Sequence, residues 1–208
     1  MPLYKTITID ANTTVWIWKI TEAFKDLQGK IALTANSKRR LEGMKSEMHQ
    51  RGFISVRYLL KNAGFQDADL EYSRIGKPLL KNGQQISITH SYHFSAIIIS
   101  NQPVGIDIEK QRHKIKLIRN KFIGNDHLSV TTDCDDEIKR LTMVWGVKES
   151  LYKLKALPGL SFKKNITITS CQQAQNYVIA TVNFNKEIST HTLKYLEFEG
   201  FTCVYVKP

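Results

Sequence analysis

Short β-branched segments between residues 70 and 110 limit the folds open to this chain more than any other feature. They read "LEYSR", "QISITHS", "FSAIIIS" and "PVGIDIE", and the turn signals "GK", "NG" and "NQP" separate them. Such runs, punctuated by Gly, Pro and Asn, predict short strands joined by tight turns. "FSAIIIS" followed at once by "NQPVGIDIE" further predicts an antiparallel hairpin that turns near Asn101–Gln102.

Helix formers dominate three other parts of the chain. The first begins with Asn36 or Ser37 as the predicted N-cap, ends at Gly64 as the predicted C-cap, and would divide into two helices at Gly43 or Gly52. Two further helices are predicted at residues 114–123 and 135–156, and the second of these has an approximate 3.6-residue apolar period. Additional strands are predicted at residues 5–9, 14–20, 165–170, 176–184, 193–199 and 201–208.

The order of these elements predicts an α+β fold rather than strictly alternating βαβ units. Each half of the chain reads as strands, helix and more strands, and no linker rich in Pro, Gly or Ser separates the halves. We therefore expect two similar, closely packed α+β lobes in one chain, an N-terminal lobe at residues 1–102 and a C-terminal lobe at residues 103–208.

Composition narrows the function classes. Thirty Lys and Arg against nineteen Asp and Glu give a net charge of +11, which indicates either an acidic partner or a solvated basic surface. No apolar run is long enough for a transmembrane helix, and the N-terminus lacks the apolar core of a signal peptide. The three cysteines have no zinc-site or disulfide spacing, which favours a cytoplasmic protein.

Two carboxylates stand out against this basic background. Asp107 and Glu109 lie two residues apart in a predicted strand, so both side chains point to the same face. Two neighbouring carboxylates repel each other unless a cation or proton lies between them, and oxygen ligands suit Mg²⁺. The alternative is an exposed strand face with ordinary surface acids.

The helix predicted at residues 135–156 contains "WGVKESLYKLK". Glu149 and Lys153 lie one turn apart on one face of it, with Trp145 one turn below. Alone, this pattern is also that of a common surface ion pair. His90 and Ser91 end the strand "QISITHS", where they could meet a phosphate, although a lone histidine at a strand end is usually structural. The chain has no GxxxxGK[ST] or GxGxxG loop and no convincing hydrolase triad.

Together these segments resemble the 4′-phosphopantetheinyl transferases, in the surfactin-synthetase-activating, two-lobed type. The resemblance is carried by "GKPLLKNGQQISITHS" (76–91), "VGIDIE" (104–109) and "WGVKESLYK" (145–153), in that order and at the family's spacing. The pattern departs from the family at Thr89, where a serine is usual, and in the loop containing Asp126 and His127. The resemblance implies a pseudo-duplicated fold, with coenzyme A phosphate contacts in the N-terminal lobe and the metal-binding and catalytic motifs in the C-terminal lobe.

The resemblance also implies the chemistry. Such enzymes transfer the 4′-phosphopantetheine arm of coenzyme A to a serine hydroxyl of an apo acyl or peptidyl carrier protein and release 3′,5′-ADP. Asp107, Glu109 and Glu149 would hold Mg²⁺, with Mn²⁺ as the alternative ion. Glu149 would also be the base that takes the serine proton, and Lys153 would stabilise the leaving phosphate. The residues implied to contact coenzyme A are Lys153, His90 and Ser91 at its phosphates, Lys77 and Pro78 at its adenine, and Lys38, Arg39, Arg40, Arg51 and Arg57 at its 3′-phosphate.

The sequence is compatible with more than one function and leaves the docking surface as a hypothesis. The basic run from Lys110 to Lys121 is a candidate dock for an acidic carrier protein, and a monomer is expected from the two-lobed type. A nucleic-acid-binding protein is the main rival, but it would not require Asp107, Glu109 and Glu149. An inactive family member that only binds coenzyme A or a carrier is the second rival.

Overall fold

The computed structural model describes residues 3–127 and 134–208, and the chain divides into two units, Met1–Asn101 and Gln102–Pro208. Each unit combines helices with one antiparallel sheet, so the predicted α+β fold class is confirmed. None of the helices in the described residues is long and apolar enough to cross a membrane.

The first unit contains β1 (Leu3–Asp10), β2 (Thr13–Lys19), α1 (Phe24–Leu27), α2 (Ala35–Glu42), α3 (Glu47–Asn62), β3 (Leu70–Tyr72), β4 (Pro78–Leu80), β5 (Gln85–Ser91) and β6 (Phe94–Ser100). Its strands form a six-stranded sheet with the order β1-β2-β6-β5-β4-β3. All seven residues of β6 are buried, and β2 and β5 pair with its two edges. Helix α3 packs on β2, β5 and β6 and supplies much of the apolar core.

The long helical stretch of this unit divides at Gly43, as predicted, but its ends differ from the prediction. The N-cap is Thr34 rather than Asn36 or Ser37, because the Thr34 hydroxyl accepts the Ser37 amide at 3.2 Å. The C-cap of α3 is Ala63, and Gly64 follows it with a left-handed φ of 88°.

The second unit contains β7 (Gly105–Lys110), α4 (Lys114–Phe122), α5 (Cys134–Lys155), α6 (Phe162–Asn165), β8 (Ile166–Gln172), β9 (Tyr177–Phe184), β10 (Glu187–Phe198) and β11 (Phe201–Val206). Its strands form a five-stranded sheet with the order β7-β11-β10-β9-β8. Helix α5 packs against β7 and β11, and its apolar stripe fills the core. The two helical predictions for this unit are confirmed within one residue at each end, as α4 and α5, whereas β10 is longer than the sequence indicates.

The predicted hairpin between "FSAIIIS" and "PVGIDIE" is wrong. Strand β6 pairs with β2 and β5, whereas β7 pairs with β11 in the other sheet. Both edges of β6 are already occupied, so β7 has no position beside it. The turn signal at Asn101–Gln102 instead marks the boundary between the two units.

Candidate active site

Asp107 and Lys153 are joined directly. Asp107 lies on β7 with its side chain 6% exposed, and Lys153 lies near the end of α5 with its side chain 27% exposed. The Lys153 ammonium lies 2.8 Å from Asp107 Oδ1 and donates to the Ile106 carbonyl at 2.9 Å. Lys153 is therefore tied to a buried carboxylate on a strand and is not an ordinary surface lysine.

Two glycines allow α5 to approach the sheet this closely. A Cβ at Gly105 would collide with the Ser150 carbonyl, and a Cβ at Gly146 would lie 2.8 Å from Val204 Cγ2 and 3.9 Å from Asp107 Oδ2. The Ser150 hydroxyl also donates to the Val204 carbonyl at 3.0 Å. The glycine of "VGIDIE" thus has a steric reason, since it brings the helix that carries Glu149 against the strand that carries Asp107.

Glu149 is half-buried one turn before Lys153. Burial raises the pKa of its carboxyl, and the charge of Asp107 raises it further, while Lys153 acts in the opposite direction. The structure therefore places Asp107, Glu149 and Lys153 in one electrostatic group. A carboxyl with a raised pKa is suited to accept a proton near neutral pH.

The chemistry of these donors fits a hard divalent cation. Burial and then the charge of Asp107 raise the pKa of Glu149, and a cation between the two carboxylates would oppose both effects. Mg²⁺ commonly uses one or two carboxylates with waters and phosphate oxygens. Across residues 3–127 and 134–208, however, no three His, Cys, Asp or Glu side chains lie close enough together to hold a metal. Glu109, half-buried on β7, is therefore not gathered into a three-carboxylate group, and its role as a third ligand stays a prediction.

Lys148 is a residue that the sequence reasoning missed. Its side chain is fully buried, and its ammonium lies 2.8 Å from Asp126 Oδ2, itself fully buried. The same ammonium donates to the carbonyls of Phe122, Phe162 and Ile166 at 2.7–3.1 Å. Burial lowers the pKa of Lys148, and Asp126 opposes that shift.

Asp126 completes this anchor. Its carboxylate also accepts the amides of Gly124 at 2.9 Å and Ile168 at 2.8 Å. The loop that departs from the family pattern therefore has a structural function, which is to compensate the buried charge of Lys148. Lys148 could have been found from its position in the apolar stripe that contains Val144 and Leu151.

His90 and Ser91 end β5 in the first unit, as predicted, but their exposure differs. His90 is exposed and Ser91 is buried. Lys77 and Pro78 are half-buried at the start of β4, where the Lys77 amide donates to the Ser73 hydroxyl at 3.1 Å. The structure thus leaves His90, rather than Ser91, presented to solvent.

The basic residues proposed for the 3′-phosphate fall into two groups. Lys38, Arg39 and Arg40 are exposed on α2, and the Arg40 guanidinium lies 4.6 Å from the Tyr72 ring centroid. Arg51 is half-buried and donates to the Ile20 carbonyl at 3.1 Å. The residues on α2 are therefore accessible to an anion.

Arg57 belongs to a different kind of site. It is 3% exposed, its guanidinium bonds Asp67 at 2.9 Å and lies 3.5 Å from the Phe53 ring centroid. Asp67 also accepts from the Thr34 amide and hydroxyl and from the Ser37 hydroxyl. Because its charge is buried and compensated, the structure does not support Arg57 as a ligand of the 3′-phosphate.

The basic run from Lys110 to Lys121 covers most of α4 and the segment that joins β7 to it. Glu137 binds Lys116 at 2.7 Å and Arg119 at 3.4 Å. Lys114 and Lys121 lie on the exposed face of the helix, and between them Leu117 is 81% exposed. This face combines positive charge with an exposed apolar side chain.

Comparison with known proteins supplies the family. The model of the 4′-phosphopantetheinyl transferase superfamily matches residues 103–206. The 4′-phosphopantetheinyl transferase Sfp of Bacillus subtilis (strain 168) is 30% identical over 115 residues, which are 53% of this chain and 50% of that protein. The 4′-phosphopantetheinyl transferase gsp of Aneurinibacillus migulanus is 28% identical over 130 residues, which are 62% of this chain and 53% of that protein.

A third relative, the 4′-phosphopantetheinyl transferase ffp of Bacillus subtilis, is 29% identical over 113 residues, which are 53% of this chain and 50% of that protein. The chain spans about half the length of these relatives. The family match covers half of the chain, including the strand of Asp107 and the helix of Glu149 and Lys153, and confirms the resemblance seen in the motifs. This chain belongs to the 4′-phosphopantetheinyl transferase superfamily.

Proposed function

We propose that this protein transfers the 4′-phosphopantetheine group of coenzyme A to a serine hydroxyl of an apo acyl or peptidyl carrier protein and releases 3′,5′-ADP. The observation that carries the proposal is Glu149. Burial and the neighbouring Asp107 raise the pKa of its carboxyl, beside a lysine that is partly exposed. This arrangement supplies a proton acceptor and a cation at one place, as phosphoryl transfer to a hydroxyl requires.

In the proposed reaction, a bond forms between the carrier serine oxygen and the phosphorus that bears pantetheine. The bond from that phosphorus to the bridging oxygen of the pyrophosphate breaks, and its electron pair leaves with 3′,5′-ADP. Glu149 accepts the serine proton. A raised pKa makes its carboxylate a stronger base at neutral pH than an ordinary surface glutamate.

Lys153 is proposed to bind the phosphate oxygens on which charge develops. An ammonium has three N–H donors, and Asp107 and Ile106 use two of those of Lys153. The third donor, on a side chain 27% exposed, is available to a phosphate. Preorganised cations at developing negative charge are among the largest contributions to such catalysis.

Asp107 and Glu149 are proposed to hold Mg²⁺ or Mn²⁺, with Glu109 as a further ligand. When bound, this ion would neutralise charge on the coenzyme A pyrophosphate. In the first unit, His90 and Ser91 are proposed to contact coenzyme A phosphates, Lys77 and Pro78 to lie by the adenine, and Lys38, Arg39, Arg40 and Arg51 to contribute at the 3′-phosphate.

The partner is proposed to be an acidic carrier protein that docks on α4. The support is the exposed face of Lys114, Leu117 and Lys121, which offers an apolar anchor between two cations. Replacing Leu117 by Asp is expected to raise the KM for the carrier and leave the Kd for coenzyme A unchanged. An unchanged KM for the carrier would contradict the docking proposal and leave the transferase proposal intact.

We further propose that the enzyme works in the cytoplasm as a monomer. Support for a reducing compartment comes from Cys171 and Cys203, which are free thiols. Size-exclusion chromatography with light scattering would report a single chain, and a dimer would contradict the proposal.

The experiment that tests the function is intact-mass spectrometry of a carrier after incubation with the enzyme, coenzyme A and Mg²⁺. The carrier should become heavier by one phosphopantetheine. Glu149→Gln, and a carrier whose acceptor serine is alanine, serve as controls that should give no adduct. If fatty-acid, polyketide and peptide carriers all remain unmodified, the proposed function is wrong.

A further inference from the structure

His90 packs on a glycine in the middle of a helix. A Cβ at Gly52 on α3 would lie 3.2 Å from His90 Cγ and 3.3 Å from His90 Nδ1. Both distances are shorter than ordinary van der Waals contacts, so the imidazole would have to move to admit a side chain. His90 is nevertheless exposed to solvent.

A glycine at this position is costly in the absence of such a contact. Within a helix, Gly is less favourable than Ala by about 1 kcal/mol. The position of α3 is also fixed locally, because the Ser55 hydroxyl bonds the Ser95 hydroxyl of β6 and the Gly52 carbonyl, each at 2.8 Å. The helix therefore cannot easily retreat from β5, and the absence of a side chain at Gly52 determines where the His90 ring lies.

A second imidazole stands beside the first. His49 precedes Gly52 by three residues, so both lie on the same face of α3. The ring centroids of His49 and His90 are 6.3 Å apart with an interplanar angle of 48°. His49 is exposed as well.

We propose that His49 is a second phosphate-binding residue beside His90, and that Gly52 is the positioning residue that seats His90. Two neighbouring ring N–H groups, one from a helix and one from a strand end, can donate to different oxygens of one phosphate. The ligand is a phosphate group of coenzyme A, so the inference rests on the proposed function. His49 acts by contact, whereas Gly52 acts only through His90.

Calorimetric titration of the full chain with coenzyme A tests both parts. His49→Ala should weaken binding about tenfold, the value of one hydrogen bond to a charged group. The matched control is His93→Ala, an exposed histidine of the same unit outside the pair, which should leave the Kd unchanged. Equal affinities in wild type and His49→Ala would overturn the role of His49.

A double-mutant cycle isolates Gly52. Gly52→Ala should weaken coenzyme A binding severalfold in wild type and have no effect in His90→Ala, because the variant acts through the ring. Gly43→Ala is the control, since a Cβ there meets only carbonyl oxygens at 3.6 Å. The same loss of affinity in both backgrounds would overturn the positioning role. Dephospho-coenzyme A identifies the phosphate: if the His49→Ala penalty vanishes with this ligand the pair binds the 3′-phosphate, and if it persists the pair binds the pyrophosphate.

One measurement needs no ligand. In the NMR spectrum of the unliganded protein, Gly52→Ala should shift the ring resonances of His90 and leave those of His113 in place. Unshifted His90 resonances would contradict the positioning of the His90 ring by Gly52, whatever the protein binds. If instead the shift appears and wild type does not bind coenzyme A, the positioning of His90 by Gly52 is supported, whereas the proposed function and the phosphate role of His49 are wrong.

Discussion

Helix α5 carries two lysines that are each bound to an aspartate at 2.8 Å, and they differ in almost every other respect. Lys148 and Asp126 are fully buried, and four oxygens surround the three N–H donors of the ammonium. Lys153 is 27% exposed and, among the residues that the structure describes, has two acceptors. Saturation of the donors and burial, rather than residue type, separate a lysine that holds the fold from one that can meet a substrate.

Arg57 in the first unit resembles Lys148, because it too is a buried cation paired with a buried aspartate. It is buried, bonded to Asp67 and surrounded by further polar partners. Each of these two cations occupies the same place in its helix pattern, four residues after a buried apolar residue and three before another, which are Phe53 and Leu60 for Arg57 and Val144 and Leu151 for Lys148. A cation inside an apolar stripe therefore indicates a buried ion pair.

The largest expected effect comes from breaking the buried pair. Lys148→Met leaves Asp126 buried without its cation, so the free energy of unfolding should fall by about 3–5 kcal/mol. Lys139→Met is the matched control on the same helix, because Lys139 is 48% exposed and lies 3.9 Å from Asp136. Its effect should stay within about 1 kcal/mol. Urea denaturation of both variants checks the comparison, and equal stabilities would contradict it.

The sequence can place Asp107, Glu149 and Lys153 on their elements, because each of these residues lies on a regular strand or helix. Asp107 follows the two-residue period of a strand, and Glu149 and Lys153 follow the four-residue period of a helix. The motifs that contain them, "VGIDIE" and "WGVKESLYK", also occur in the order and at the spacing of the family. The bond between Lys153 and Asp107 joins residues 46 positions apart and could be found only from the packing of α5 on β7.

Other features could not be predicted, for physical reasons. A turn signal such as Asn101–Gln102 is the same in a hairpin and in a link between two units, and strand pairing depends on which edges are already occupied. The family resemblance and the positive charge of Arg57 suggest a phosphate ligand, whereas its burial beside Asp67 is a property of the packed core. The compensating acid of Lys148 lies 22 residues earlier in a loop with no pattern.

Changing the partly exposed pair should affect activity rather than folding. Asp107→Ala removes a proposed metal ligand. The barrier to transfer should rise by several kcal/mol, so the rate of transfer should fall on the order of a thousandfold. The variant should still fold, since Lys153 keeps the Ile106 carbonyl and access to solvent. Glu71→Ala removes an exposed acid and should retain full activity. Near wild-type transfer by Asp107→Ala in a carrier-mass assay would refute the metal assignment.

Removing the cation beside Asp107 should expose the affinity of the carboxylates for metal. In Lys153→Met, Asp107 and Glu149 face each other without an ammonium, so Mg²⁺ should raise the melting temperature more than in wild type, by the equivalent of about 1 kcal/mol. Lys148→Met should gain no more than wild type. Thermal melts with Mg²⁺ and with EDTA provide the measurement. The same gain in all three proteins would show that the ion binds elsewhere.

The smallest expected effect concerns acid stability and extends the comparison to the first unit. Burial alone would raise the pKa of Asp67, but hydrogen bonds from the Thr34 amide, the Arg57 guanidinium and the Ser37 hydroxyl outweigh it and lower the pKa. A carboxyl whose pKa is lowered by folding stabilises the fold above its unfolded pKa of about 3.9, and this contribution is lost as the pH falls through the folded value.

Asp67→Asn should therefore be less stable than wild type at neutral pH and should lose less stability on acidification below about pH 5. Asp26→Asn, which changes an exposed aspartate of the same unit, should follow the wild-type pH dependence. Urea unfolding between pH 3 and pH 7 measures both. If Asp67→Asn and wild type have parallel pH dependences, the charge of Asp67 does not contribute to stability. Arg57 and Lys148 would then share burial but not a stabilising ion pair.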